Sequence, residues 1–230
     1  MYDSLLNLGL NRIMYFVFYI VKGWFWMKFN EESPFWRFAT MLADFILLNL
    51  FVIVISIPIV TIGPVLAALF YTMMKFSENE DGYLVKTFWN ELKHLFFVRV
   101  AVSLIYAAII AATVYVIQFW YSFQNIFGMM LAIIFFLFLC MTITAMLISL
   151  ARTQYFGTIK SYIRDGYLFI FISLKEAVAI LAIPVILIGF SIFQETVLYF
   201  MGIIGISLMG YALAPLFHKM FSKVEKKHEG

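Results

Sequence analysis

The sequence predicts an all-α polytopic membrane protein with six transmembrane helices in three hairpins, an interfacial N-terminal helix and both termini in the cytoplasm. Three observations carry that expectation: composition, the length of the apolar runs and the placement of the charges. Of 230 residues, 64% are hydrophobic and 13% charged, with a mean hydropathy of +0.97, against roughly 25% charged in an average soluble domain. Residues 98–120 and 127–150 each reach the ~20 apolar residues that cross a hydrocarbon core about 30 Å thick, and neither carries a charge except Arg99 at an edge. With the N-terminus inside, all 16 Lys and Arg residues fall on the cytoplasmic side, and the outer face keeps Glu195 alone. That asymmetry is a strong form of the positive-inside rule.

Taken in order, residues 1–36 form an N-terminal interfacial amphipathic segment. Residues 13–21 are apolar all round, but Asn7, Asn11 and Arg12 leave too short a core for a crossing. Lys22, Trp24 and Trp26 follow, as in a helix lying along the headgroups. A seventh crossing is the alternative. Asp3 and these polar residues, in place of a basic segment before a cleavable apolar core, argue against a removable signal peptide. A single transmembrane domain spans 37–217, with helices expected at about 38–57, 64–76, 97–120, 127–150, 177–193 and 197–217. Residues 218–230 read as a charged, disordered cytoplasmic tail.

The most informative stretch is 49–71, where Pro58, Gly63 and Pro64 interrupt what would otherwise be one long helix. The helix after the break, at 13 residues, rises about 20 Å, short of the bilayer core, so the turn is expected to sit below the outer surface. Proline lacks an amide donor and glycine admits unusual dihedrals, so the turn must expose backbone polar groups, which hydrocarbon tolerates where protein or water covers them. Two readings stay open: a broken-helix substrate site, or a tight hairpin satisfied by Thr61, Ser56 and neighbouring helices, which the sequence favours. Asp44 is the one carboxylate well within a predicted helix, a functional candidate by default or a snorkelling group. Asn49 and Ser56 are seven residues apart on one helix face. They make either interhelical hydrogen bonds or a polar patch for sugar hydroxyls.

Asp44, Asn49, the run Ser56-Ile-Pro-Ile-Val-Thr-Ile-Gly-Pro64, then Ala67-Ala68-Leu69-Phe70-Tyr71, and after a polar gap Gly82, Phe88 and Lys93 resemble the YesL-like family of bacterial integral membrane proteins, a family of unknown function. The resemblance covers about 37–97. It departs from the family's Ala-Leu-Tyr segment by placing Phe70 before Tyr71. Members commonly occur in Gram-positive bacteria, encoded near carbohydrate ABC importers, their binding proteins and sensor kinases. The resemblance therefore implies a multi-pass protein of the bacterial plasma membrane with an accessory role in carbohydrate transport.

Between the hairpins lie two polar stretches. In the first, Leu84, Val85, Phe88, Trp89, Leu92, Leu95 and Phe96 recur at helical spacing opposite Lys86, Asn90, Glu91 and Lys93, an amphipathic helix on the cytoplasmic surface. Asp81-Gly82-Tyr-Leu84 is echoed by Asp165-Gly166-Tyr167-Leu in the second, a weak sign of duplication. These loops either anchor in the lipid bilayer through Trp89 and Tyr167, with lysines toward anionic headgroups, or dock on the permease and ATPase subunits of an ABC importer.

Other chemistries find little to work with. Cys140 has no second thiol and reads as a core residue. His94, His218 and His228 lack metal-ligand spacing, and there is no nucleophile elbow, carboxylate pair or phosphate loop. No enzyme, cofactor or metal is expected. Basic residues spread over the rim do not make a nucleic-acid stripe. The leading expectation is an accessory subunit of an oligosaccharide ABC importer. The alternatives are an independent small transporter or channel using the 58–64 break and a membrane partner of a sensor kinase.

Overall fold

The computed structural model describes residues 34–78, 84–153 and 157–228. The interfacial reading of the N-terminal segment, and the residues Asp81 and Gly82, lie outside them. Contacts divide the chain into two units, 1–43 and 44–230. Of the first, the structure describes only the opening half of one helix.

Helix α1 is Pro34–Ile55. A single 3₁₀ turn, Ile59–Thr61, leads into α2, Ile62–Ser77, and then come α3, Leu84–Lys93, α4, Phe96–Tyr121, and α5, Ile126–Arg152. The second half is α6, Ile159–Ile172, α7, Leu174–Phe193, and α8, Glu195–Phe200, which passes through a π-helical turn, Met201–Gly205, into α9, Ile206–His228. No strand occurs among the described residues. Six segments are long and apolar enough to cross a membrane: 38–55, 59–77, 96–121, 126–152, 174–193 and 196–223.

Local chemistry explains several boundaries. Asn125 caps α5 by accepting the Gly128 amide at 2.6 Å, and Thr158 and Ser161 close a reciprocal box at the start of α6. Pro64 falls in the first turn of α2, where its missing amide would have had no partner. Leu95 adopts a left-handed conformation (φ 51°) and breaks α3 from α4.

Two boundaries differ from expectation. Helix α2 begins before Pro64. Helix α9 runs on through the expected tail to His228, because Phe217, Met220 and Phe221 continue its helical stripe and are buried, with Phe217 on Phe70 at 5.1 Å and Phe221 on Phe169 at 5.8 Å. The Arg152 guanidinium lies 5.1 Å from the Phe169 ring, so this column ties α2, α9, α6 and α5.

Helices α4 and α5 form the most extensive pair, and α6 folds back along α5. The α5–α6 crossing turns on Gly166. Its Cα faces the Ser149 hydroxyl, and an added Cβ would sit 2.6 Å from the Ala145 carbonyl and 2.8 Å from the Tyr106 hydroxyl. Around it Tyr106 Oη meets Ser149 Oγ at 2.8 Å, and Ser149 Oγ donates to the Tyr162 carbonyl at 2.8 Å. Gly166→Ala is therefore expected to lower the thermal midpoint in detergent by separating α6 from α5. Ala substitution at Gly189, where a Cβ meets nothing within 4 Å, serves as the control, and equal midpoints for the two variants would contradict the crossing.

Candidate functional site

Asn49 reaches the middle of the bundle from α1 and is fully buried. Its Nδ2 donates to the Gly202 carbonyl at 2.6 Å, and its Oδ1 accepts the amides of Ile206 at 3.1 Å and Ser207 at 3.2 Å. In an α-helix the residue-206 amide would bond directly to the residue-202 carbonyl. The π-helical turn spreads those groups apart, and the Asn49 carboxamide bridges them, acceptor to one and donor to the other. Beside it, Ser207 Oγ is buried with no hydrogen-bond partner. Phe45, one turn earlier, packs on Phe76 and Tyr211 at 5.7 and 5.8 Å.

The turn after α1 is closed on itself. Thr61 Oγ1 donates to the Ile55 carbonyl and lies 2.6 Å from the Pro58 carbonyl, while its amide donates to Pro58 O at 2.9 Å. Ile57 and Ile59 point outward, 76% and 82% exposed, a surface suited to lipid. Gly63 is helical, and no described glycine has positive φ. Its role is approach: a Cβ there would overlap the Ser103 side chain and meet the Arg99 carbonyl at 3.2 Å. The tip of the first helix pair thus abuts the base of α4, beside the residue that the sequence reading sets at the opposite edge of the membrane. Ser56 and Asp44 are half-buried, and no ion pair reaches Asp44 among the described residues.

Helix α3 has its apolar face against the protein. Leu84, Phe88 and Leu92 are buried, largely on α2, and so are closed to lipid or a partner. Trp89 faces out, 44% exposed, with Lys93 Nζ 5.4 Å from its ring and Phe51 beside it at 6.4 Å. What fixes α3 is Arg99, fully buried in the first turn of α4. Its guanidinium donates to the Glu91 carboxylate, to the Glu91 carbonyl at 2.6 Å and to Thr153 Oγ1 at 2.9 Å, so one side chain joins α3, α4 and the end of α5.

The second loop's candidates also turn inward. Asp165 pairs with Arg152 and Arg164 at 3.1 and 3.2 Å, Gly166 is buried, and Tyr167 Oη lies 3.3 Å from Thr142 Oγ1. Burial pushes the nearby Tyr162 phenol above its usual range, against the pull of the Arg99 and Arg152 guanidiniums. The sequence echo does not mark equivalent positions, because Leu84 opens α3 whereas 165–168 lie inside α6.

Sequence reading passed over Arg99 as an edge charge, and over Glu176. The signal for Arg99 was present: a guanidinium inside the first turn of an otherwise uncharged run, eight residues after Glu91. For Glu176 the signal was its place at the start of an apolar segment, three residues after a serine.

These ties and the six membrane-length helices define the class: an all-helical, multi-pass membrane protein. Residues 45–117 match the family described as "Protein of unknown function, DUF624", a stretch that overlaps the region of the YesL-like resemblance and includes Asn49, the 58–64 turn, α3 and Arg99. No curated protein and no solved structure matches the chain.

Two expectations follow. Asn49→Leu keeps the size but leaves the Gly202 carbonyl and two amides without partners, at roughly 1–3 kcal/mol for each buried group; a large drop in thermal midpoint is expected, and a wild-type midpoint would refute the bridge. Arg99→Met strands the Glu91 carboxylate and should cost about 3–5 kcal/mol. Adding Glu91→Leu should recover most of that loss, which a double-mutant cycle measures.

Proposed function

We propose that the chain is a YesL-like accessory membrane subunit of a carbohydrate ABC importer in a bacterial plasma membrane, with both termini cytoplasmic, and that it couples to its partner through the outer face of α3. The observation that carries this reading is the Arg99 tie. A surface helix locked to a membrane-spanning helix by a buried ion pair moves as one piece with it, which suits a coupling element. The face left outward holds Lys86, Trp89, Asn90 and Lys93, an aromatic anchor within a polar, cationic rim of the kind that protein interfaces favour. The neighbourhood implied by the family resemblance supplies the partner class, and the placement of the cations supports the orientation, while the contact of Gly63 with Ser103 and the Arg99 carbonyl weighs against the 58–64 turn lying at the outer surface. The 58–64 turn weighs against independent transport, because its Thr61 hydroxyl and amide and the Ile55 and Pro58 carbonyls are bonded to one another within the hairpin and not held toward a substrate.

The test is a mild-detergent pull-down of tagged protein from its native membrane, with partners identified by mass spectrometry. Permease and ATPase subunits are expected to be recovered with the wild type and lost with Trp89→Glu. Because Trp89 is half-exposed, that variant should fold. Recovery of the protein alone would defeat the accessory reading and turn attention to flux through reconstituted vesicles.

A further inference from the structure

Helix α6 has 14 residues and rises about 21 Å, too little to cross a bilayer. It nevertheless runs beside the last turns of a membrane-length helix. The Tyr162 carbonyl accepts Ser149 Oγ at 2.8 Å, a Cβ on Gly166 would sit 2.6 Å from the Ala145 carbonyl, and Tyr167 Oη lies 3.3 Å from Thr142 Oγ1. As α6 advances, its partners on α5 step from 149 back to 142, away from the end of the segment 126–152. The Arg152–Asp165 pair at 3.1 Å joins that end to the middle of α6. The first half of α6 thus lies at the membrane boundary and the second half enters.

The outward face of α6 changes character at the same place. Tyr162, Gly166, Phe169 and Ile170 are buried, and the exposed positions of the helix are Lys160, Arg164, Leu168 and Phe171. Their spacing of three or four puts them in one stripe. Arg164 is 71% exposed and Phe171 73%, and Leu174, the first residue of α7, is exposed beyond them. Leu168 and Phe171 lie about 6 and 10 Å past Arg164 along the axis. Cations open the stripe and apolar side chains close it, which is the order of a phospholipid from phosphate to acyl chain. Tyr167, the lipid anchor that the sequence suggests, is on another face.

Charge is unbalanced there as well. Asp165 is the only acidic residue between Arg152 and Lys175, so Arg152, Lys160 and Arg164 leave a surplus of two positive charges around it. A cytoplasmic protein would cover the cations and leave the apolar half bare at the depth of Thr142, whereas one lipid covers both.

We propose that this face of α6 binds an anionic phospholipid, its phosphate held by Lys160 and Arg164 and an acyl chain laid along Leu168, Phe171 and Leu174. Asp165 orients the Arg164 fork through Nε and Nη2, both at 3.2 Å, and a planar guanidinium suits phosphate oxygens. The surplus charge favours a lipid of net negative charge over phosphatidylcholine, whose phosphate carries its own cation.

The experiment uses the full chain with the photoreactive residue p-benzoylphenylalanine at position 171, where the exposed side chain leaves room for it. The protein is illuminated in vesicles of equal parts phosphatidylcholine and phosphatidylglycerol, and adducts are identified by mass spectrometry. Phosphatidylglycerol adducts are expected to exceed phosphatidylcholine adducts about fivefold, the weight of one cation near an anionic surface. Lys160→Gln with Arg164→Gln should make the two yields equal. Lys86→Gln with Lys93→Gln removes the same charge from α3 and should leave the excess in place. All four side chains are exposed, so both double variants should fold. Equal yields in the wild type overturn the proposal, as does an excess that survives Lys160→Gln with Arg164→Gln. An equal fall in both double variants overturns the site in favour of a diffuse cationic rim, and adducts to a second chain in place of lipid overturn the occupant. Added inorganic phosphate should act no differently from chloride at the same ionic strength; loss of the excess in phosphate alone overturns the lipid assignment in favour of a small-anion site.

Discussion

A carboxamide from one helix stands in for a missing hydrogen bond in another, and the first and last membrane helices are registered by that substitution. Lipid offers no partner to a helix carbonyl or amide, and each one left alone in hydrocarbon costs several kcal/mol. The π-helical turn at Met201–Gly205 opens such a gap in the last helix, and Asn49 fills it with one donor and two accepted amides. Each feature needs the other: without the turn, a buried Asn49 would itself be unsatisfied, and without Asn49 the turn would be. The pairing also fixes register, since a slide of α1 by one turn would bring a residue with no amide side chain to the gap. Phe45 stacking with Phe76 and Tyr211 is then set by the same register, as is the seating of α2 against Phe217.

The other polar groups of the interior follow the same economy. Helix association in lipid lacks a hydrophobic drive, so close packing at small residues and buried polar contacts must specify the neighbours. Gly63 against Ser103 and Gly166 against Ser149 provide the close approaches. Arg99 ties three helices through Glu91 and Thr153, and Tyr106, Ser149 and the Tyr162 carbonyl tie α4, α5 and α6. A buried ion pair of this kind is weak evidence for net stability but strong evidence for specificity here, because removing one member leaves the other charge without water. The polar residues are few, and most of those inside join elements distant in sequence.

The membrane helices were legible because length and apolarity are local properties that a sequence displays directly. Asn49 was legible as a polar group on a helix face, but its destination was not. A π-helical turn leaves no composition signal beyond Gly202 and Gly205, and glycines are common in such segments. The stripe of Leu84, Phe88 and Leu92 announced an amphipathic helix, yet periodicity cannot say whether protein or lipid covers the apolar face, and here protein does. The charged end of α9 was read as tail because composition outweighed the spacing of Phe217, Met220 and Phe221, which is helical through the last lysines. The sequence Ser173-x-x-Glu176 spells a helix start correctly; what it cannot show is that Glu176 answers to two lysines more than forty residues away.

Those differences separate two kinds of tie. Arg99 and Ser149 have partners that are buried or nearly so, and Asn49 is itself fully buried although the Gly202 carbonyl it bonds belongs to an exposed residue. Such contacts hold register but cannot respond to the surroundings at low cost. The Glu176 cluster is built the other way, with a buried carboxylate facing the exposed cations of Lys219 and Lys223. The adjoining helix α6 is fastened to α5 at Gly166 and to α4 through Tyr106, and α9 is fastened to α1 through Asn49, to α2 at Phe217 and to α6 at Phe221, so these helices form one platform with α3, which Arg99 holds.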